Sequence, residues 1–368
     1  MEIRRIGRPE IDDRELDAYS RLVRVLDREL LGTDELTRSI DELALDLRDD
    51  DPYRARVALG AFEGDELVGL AEIDWERDED ASTAYLPLLG VAPSHRRRGT
   101  GSALLAEAER VAQDAGRPTL VVSSEHLLDP GDRAGTEAED EHGRLAGGDG
   151  SAERVRPPQG DASIEADATA VRFATARGYA LGQLDRISVL DVGGRAADFA
   201  ASLAALGPGD PYRVVTWADR VPDDLVDSMA YAHERMSVDA PSGAISYELE
   251  HWDAARVRDD EERAAARGRR NLTAAAVAPD GSVAGFTVLS LLAESVAVEQ
   301  WDTIVLASHR GHGLGMRLKL ANLVHLDRAD PGRERVFTWN ADENEHMLAI
   351  NVALGFRGFA HEAVWQRP

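Results

Sequence analysis

The chain has 368 residues, 43% of them apolar, which is enough for about two cored domains and excludes a disordered chain. Cysteine is absent, which excludes disulfides, thiolate-bound zinc, iron–sulfur clusters and a thiol nucleophile. Asp and Glu total 68 against 42 Lys and Arg, a net charge of −26 that repels phosphate backbones, argues against nucleic acid as a partner and suits cationic, amine-bearing ligands. Only one basic residue, Lys319, is a lysine.

Taken along the chain, the N-terminus lacks a signal-like apolar stretch, and no uncharged run reaches the roughly 18 residues of a membrane span. A soluble cytoplasmic protein with no membrane partner is the expectation; oligomeric state is left open. Apolar spacing predicts helix within 22–47. Strands are predicted at 57–62 and 67–73 around the turn Glu63–Gly64–Asp65–Glu66, and again at 83–91. A helix follows at 101–115, a short strand at 120–123, a helix at 166–177 and a strand at 185–192. After a turn-rich stretch at 207–211 the pattern restarts. It gives a strand at 212–217, helices at 222–235 and 252–267, and a hairpin of 272–278 with 283–289. A strand at 296–306, a helix at 313–326, a strand at 335–340, a helix at 345–353 and a strand at 359–366 complete it.

The restart is an internal repeat. Val91-Ala-Pro-Ser-His-Arg-Arg-Arg-Gly-Thr-Gly101 and Val305-Leu-Ala-Ser-His-Arg-Gly-His-Gly-Leu-Gly315 lie 214 residues apart, too far for a solenoid period. A second pair, 173–179 and 350–356, places Gly178–Tyr179 against Gly355–Phe356. The first copy is longer between these marks. Residues 129–161 hold seven glycines, three prolines and many acids, a composition predicted to form a mobile insertion. The expected domains are 1–206, including that insertion, and 207–368.

In each copy a strand ends, a tight loop turns and a helix begins. Glycines there permit unusual backbone angles and close ligand approach, and free N–H groups at the helix start attract a diphosphate. A Lys-containing phosphate loop is excluded because Lys319 is the sole lysine. The dinucleotide fingerprint fails because Leu104 and Leu318 stand where its third glycine belongs.

These loops resemble the acetyl-CoA-binding motif of the GNAT superfamily of N-acetyltransferases, and the run Asn340, Asn344, Asn351, Gly355–Phe356 resembles that superfamily's second signature. The likeness spans nearly the whole chain as two tandem domains, similar to mycothiol synthase-like bacterial proteins. It implies a mixed α/β fold, each domain a largely antiparallel twisted sheet flanked by helices. It also implies transfer of an acetyl group from acetyl-CoA to a primary amine of a small molecule. Backbone amides of Arg310, Gly311, His312, Gly313, Leu314 and Gly315 would hold the diphosphate of CoA. Thr303, Ile304 and Val305 would hold the pantetheine arm and polarise the thioester. Asn340, Asn344 and Asn351 would contact the cofactor. Val91, Arg96, Arg97, Arg98, Gly99, Thr100 and Gly101 are the matching set in the first half.

An ammonium must lose a proton before it attacks. The resemblance puts a glutamate six residues before the loop valine, which makes Glu299 the candidate base and Asp302 the next; the first half has Tyr85 there. The position of the superfamily's acid tyrosine holds Asn351, and Ala174 in the first half, so the acid is unassigned. His309 and His312 are read as turn-shaping, Trp301 and Trp339 as core, and the acids at 259–262 as a solvated helix face. Chemistry is expected in the C-terminal half, the first being a weakly binding or scaffolding copy. The alternatives are a non-catalytic CoA sensor and a longer-chain acyltransferase.

Overall fold

The computed structural model describes residues 1–7, 11–128, 153–208, 211–239, 241, 243–245 and 247–367. Most of the predicted insertion, and two residues of the turn-rich stretch at 207–211, lie outside the described residues.

The first half opens with β1 (Glu2–Ile6), which the sequence reading did not anticipate, because a five-residue edge strand with mostly exposed side chains carries little apolar periodicity. The expected helix within 22–47 is two helices, α1 (Asp13–Leu31) and α2 (Ile40–Arg48). Gly32 ends α1 in a left-handed conformation at φ 68°, and Ser39 starts α2 by accepting from the Glu42 N–H. Then come β2 (Arg54–Glu63), β3 (Glu66–Glu76), β4 (Thr83–Val91), α3 (Thr100–Asp114) and β5 (Thr119–Leu127). A two-strand ribbon, β6 (Arg154–Val155) with β7 (Ile164–Glu165), leads to α4 (Thr169–Thr175) and β8 (Ala180–Asp191).

The unanticipated α5 (Ala196–Ala205) joins this to β9 (Arg213–Ala218), α6 (Val226–Asp239) and α7 (Ala254–Ala266). β10 (Arg270–Val277), β11 (Val283–Leu291), β12 (Ala297–Val305), α8 (Leu314–Ala329), β13 (Arg335–Ala341), α9 (Glu345–Leu354) and β14 (Arg357–Gln366) follow.

Twelve of these strands form one sheet, ordered β1-β2-β3-β4-β5-β14-β8-β13-β12-β11-β10-β9. The fold class is the expected mixed, largely antiparallel α/β arrangement, with parallel pairs only at β4–β5 and β12–β13. The two copies are not separate sheets. β14, the last strand, lies between β5 and β8, and β8 pairs on its other side with β13, so each half places a strand inside the other.

Alternation along the strands sorts the helices. Leu184 of β8 packs with the cluster under α3 and α4, and Leu190, on the same face, with the cluster under α5, α8 and α9. The opposite face carries α1 and α2 over β2–β3 and α6 and α7 over β10–β11. The two helix layers of that face meet through Arg–carboxylate pairs. Arg267 reaches Asp46 at 2.7 Å and Arg269 reaches Glu42 at 2.7 Å.

Candidate active site

Both glycine loops fold alike. Arg96 Nε donates to the Val91 carbonyl at 2.9 Å, and Arg310 Nε to the Val305 carbonyl at 3.1 Å. Each arginine thus folds back on the strand it follows. A carboxylate from the overlying helix holds its outer end: Glu29 for Arg96 at 2.5 Å, Asp239 for Arg310 at 3.7 Å. Short 3-10 turns, Pro93–His95 and Ala307–His309, complete the bends. Gly99 at φ 91° and Gly313 at φ 66° precede α3 and α8, neither of which has a side-chain cap. α3 starts one residue before its predicted start at 101, and α8 one residue after its predicted start at 313.

The residues present fit a diphosphate. A Cβ built on Gly99, Gly311 or Gly313 meets nothing within 4 Å, so open space lies over these exposed residues and the uncapped N–H groups behind them. Gly315 differs: its Cβ would come within 3.0 Å of Ile350 on α9, so this glycine lets α8 and α9 approach. Arg97 and Arg98 are exposed on the first loop, and Arg98 also donates to the Ser94 carbonyl at 3.0 Å. Tyr212 lies against both histidines of the second loop, with its hydroxyl 3.1 Å from His309 Nδ1 and its ring 5.3 Å from that of His312.

The parallel pairs stop short of the loops. β12 pairs with β13 only from Ala297 to Gln300, and β4 with β5 only from Thr83 to Leu86. Beyond those points the strands diverge, leaving Thr303, Ile304 and Val305 paired to β11 alone and their other edge without a strand partner. A bulge in β12, between Gln300 and Thr303, coincides with the divergence and turns Trp301 outward. Trp301 is 47% exposed, so the expectation of a core residue is corrected.

Beneath α8 the second half is polar inside. Gln300 Nε2 donates to Thr287 Oγ1 at 2.9 Å, Thr287 and Thr303 share a 2.7 Å hydroxyl contact, and Asn322 Nδ2 donates to the Leu272 carbonyl at 2.8 Å. Asn351 Nδ2 donates to Asn340 Oδ1 at 2.6 Å, and Asn344 caps α9 by accepting from the Met347 N–H at 3.2 Å. Lys319 is 1% exposed, with its Nζ unpartnered 5.7 Å from the centre of the Phe356 ring. Burial pushes its amine down to about 7. At the places of Thr287, Gln300, Lys319, Asn322 and Asn351 the first half has Ala71, Leu86, Leu105, Ala108 and Ala174, all in one apolar cluster.

On the opposite face, Glu299 is engaged: Arg269 pairs with it and Trp301 Nε1 donates to it at 3.1 Å. Asp302 is freer, its side chain 37% exposed and 3.2 Å from His233 Nδ1. His233 comes from α6, stacked 4.6 Å from Trp252 and 4.6 Å from Phe286. Sequence reasoning missed it, because a lone histidine in an amphipathic helix gives no signal until the fold brings it to a strand 69 residues on. The run 259–262 is not simply a solvated face. Arg258 and the Val221 N–H hold Glu261, and Arg263 pairs with Asp259. Asp260 lies near His233 and Asp302; desolvation, opposed by His233 and reinforced by Asp302, holds its carboxyl above the usual range. In the first half Tyr85, the counterpart of Glu299, lies under Tyr247 of the α6–α7 loop at 6.4 Å.

Residues 21–127 match the model of the Acetyltransferase (GNAT) family, a stretch within the first half. A tandem GNAT protein from the clavulanic acid biosynthesis pathway, solved without AcCoA, is 26% identical and aligns over 99% of this chain and 97% of its own, with a TM-score of 0.72. The chain is an N-acetyltransferase of tandem GNAT fold. A GCN5-related N-acetyltransferase from Sphaerobacter thermophilus shares the fold of this acetyltransferase at 14% identity, over 100% of this chain and 96% of that one, TM-score 0.57. A putative acetyltransferase from Pyrococcus horikoshii shares it at 12% identity, over 99% and 88%, TM-score 0.53. No curated protein matches the acetyltransferase by sequence. The fold implies use of an acyl-CoA. No helix among the described residues is long and apolar enough to cross a membrane.

Proposed function

We propose that the protein acetylates a primary amine of a small molecule from acetyl-CoA, with the chemistry in the C-terminal half (207–368) and the N-terminal half (1–206) as its scaffold. One contrast carries this reading. Beside the divergence of β12 and β13 the second half places the half-exposed carboxylate of Asp302 against His233, whereas the first half has Leu88 at that place and its Tyr85 lies under Tyr247. The polar interior under α8 supports the same half.

Acetyl-CoA supplies an acetyl group activated as a thioester. The amides from Arg310 to Gly315 would hold its diphosphate, and the free edge of Thr303–Val305 would line its arm and aim N–H groups at the carbonyl oxygen. Asn340 and Asn351 hold each other at the side of β13, and Asn344 fixes the start of α9, so they shape that wall of the slot. The acid-rich acceptor face, with Asp302 and Asp260, favours an ammonium over a neutral or anionic acceptor.

The test is thiol release from acetyl-CoA with phenethylamine, putrescine, glucosamine and an amino-sugar thiol precursor, run on Gly313→Val and Gly99→Val. Either valine puts a Cβ into the open space over its loop. Loss of turnover in Gly313→Val with retention in Gly99→Val is expected. The reverse would place the chemistry in the first half. Tight CoA binding without thiol release for every amine would favour a sensor.

A further inference from the structure

Glu299 and Asp302 are the two carboxylates of β12, on either side of Gln300, the last residue that pairs with β13, and their surroundings differ. Glu299 is held at one oxygen: its Oε2 takes a charged hydrogen bond from Arg269 and another from the Trp301 indole. These contacts fix the orientation of the carboxylate toward Arg269 and the indole. Arg269 is itself fixed by Glu42 at 2.7 Å, so Glu299 ends a buried chain that begins in the other half. Asp302 has one described partner, the imidazole of His233.

We infer that His233 accepts the proton of the acceptor ammonium and that Asp302 is its positioning residue, a step resting on the C-terminal reading above. The contact is 3.2 Å between His233 Nδ1 and Asp302 Oδ2. A carboxylate accepts only, so Nδ1 carries the hydrogen and Nε2 is left as the basic nitrogen. Trp252, with its ring inclined 20° to the imidazole, and Phe286 hold the ring from two sides. His233 keeps 16% of its side chain exposed, which leaves a path for a proton. Asp302 immediately precedes Thr303–Val305, so the pair stands beside the segment proposed to polarise the thioester. Base, orienting group and oxyanion donors then lie on adjacent parts of one strand and its covering helix.

The charges facing the pair are named by the packing. From α7 come Asp260 and Arg256, with Arg267 just past its end, both arginines acting on Asp260; on α6 itself Glu234 is engaged by His251 at 3.5 Å. The first half has no such pair, since Leu88 stands at the place of Asp302. The step balances without another reactant. The ammonium gives one proton to Nε2, the neutral nitrogen forms the C–N bond, the C–S bond breaks with its electron pair on sulfur, the acylated nitrogen passes its second proton to the thiolate directly or through water, and the imidazolium returns the first proton to water.

The experiment is a pH profile of kcat/KM with acetyl-CoA and the best amine of the panel, on wild type, His233→Gln, Asp302→Asn and Glu299→Gln. Loss of His233 is expected to lower kcat/KM by about 100-fold or more and to remove the acidic limb, with acetyl-CoA affinity unchanged. Asp302→Asn should show a smaller loss and an altered limb, and imidazole in solution should rescue His233→Gly. Should His233→Gln keep the acidic limb while Glu299→Gln loses it, the base is Glu299 and the inference is overturned. If His233→Gln misfolds, Asp302→Asn carries the test, and an unaltered limb there also overturns it. Failure of the underlying reading has a different signature: Gly99→Val, not Gly313→Val, would abolish turnover.

Discussion

Asp185 and Glu362 face each other across the β8–β14 pair, and each stands seven residues after the glycine of its own half's Gly–aromatic mark. They are counterparts in the two copies, so the axis relating the halves passes between two carboxyls. Glu125 sits opposite Glu362 on the third strand, which makes a row of three acids across β5, β14 and β8. Burial, then the neighbouring carboxylates, push Glu125 and Asp185 up to about 8, and burial raises Glu362 as well. The row titrates as a unit.

That row predicts the direction of a pH dependence. Carboxyls with raised folded pKa values hold protons that the unfolded chain has released, so stability falls as pH rises from about 4 toward about 8. Asp185→Asn should flatten this slope and raise the urea midpoint at pH 8.5. An unchanged slope, with equal m-values, would show that the acids do not interact in the folded state.

Lys319 predicts the opposite slope. Its amine is depressed from 10.5 to about 7, so its burial costs nothing above the unfolded value, costs more as pH falls, and reaches its full cost below about 7. Lys319→Leu reproduces what the first half does with Leu105 and should stabilise the fold at pH 6 by a few kcal/mol, order-of-magnitude. Denaturation of the variant at pH 6 and pH 9 gives the answer. A loss of stability at pH 6 would mean that Nζ has a partner in solution.

The motif residues were readable in sequence because a strand, a bend with positive φ and a helix start leave a composition mark that two copies make hard to mistake. The exchange of strands left none. β8 and β14 look like ordinary closing strands, and only their pairing with each other shows that neither half completes its sheet alone. β1 and α5 were missed for a related reason: one is an exposed edge, and the other buries only Phe199 fully. Asp302 was legible as an acid near the loop, while its partner His233 lay in another element and needed the fold.

The loops also differ at one backbone position. Arg97 sits at φ 63° where the second loop has Gly311 at φ 84°. A side chain there costs roughly 1–2 kcal/mol, partly offset because glycine loses more freedom on folding. Arg97→Gly should therefore raise the melting temperature slightly, by up to about 1 kcal/mol in free energy. Thermal unfolding reads it directly, and a clear loss would show that the Arg97 side chain makes a stabilising contact outweighing its strain.

The chain Glu42–Arg269–Glu299 links the halves through charges held largely out of water. Arg269 keeps 8% of its side chain exposed and Glu42 4%, so neither charge is solvated. At Glu42 burial outweighs the attraction of Arg269 and holds the carboxyl above its ordinary range, whereas at Arg269 the two carboxylates outweigh burial and raise the guanidinium. Removing the cation alone leaves two acids facing each other in a poorly hydrated layer. Arg269→Met should cost about 3–5 kcal/mol. Adding Glu42→Gln should recover part of it, because the neutral amide removes one of the stranded charges. A double-mutant cycle on urea midpoints measures the coupling, and additivity of the two substitutions would mean that the bridge between the halves is not formed in solution.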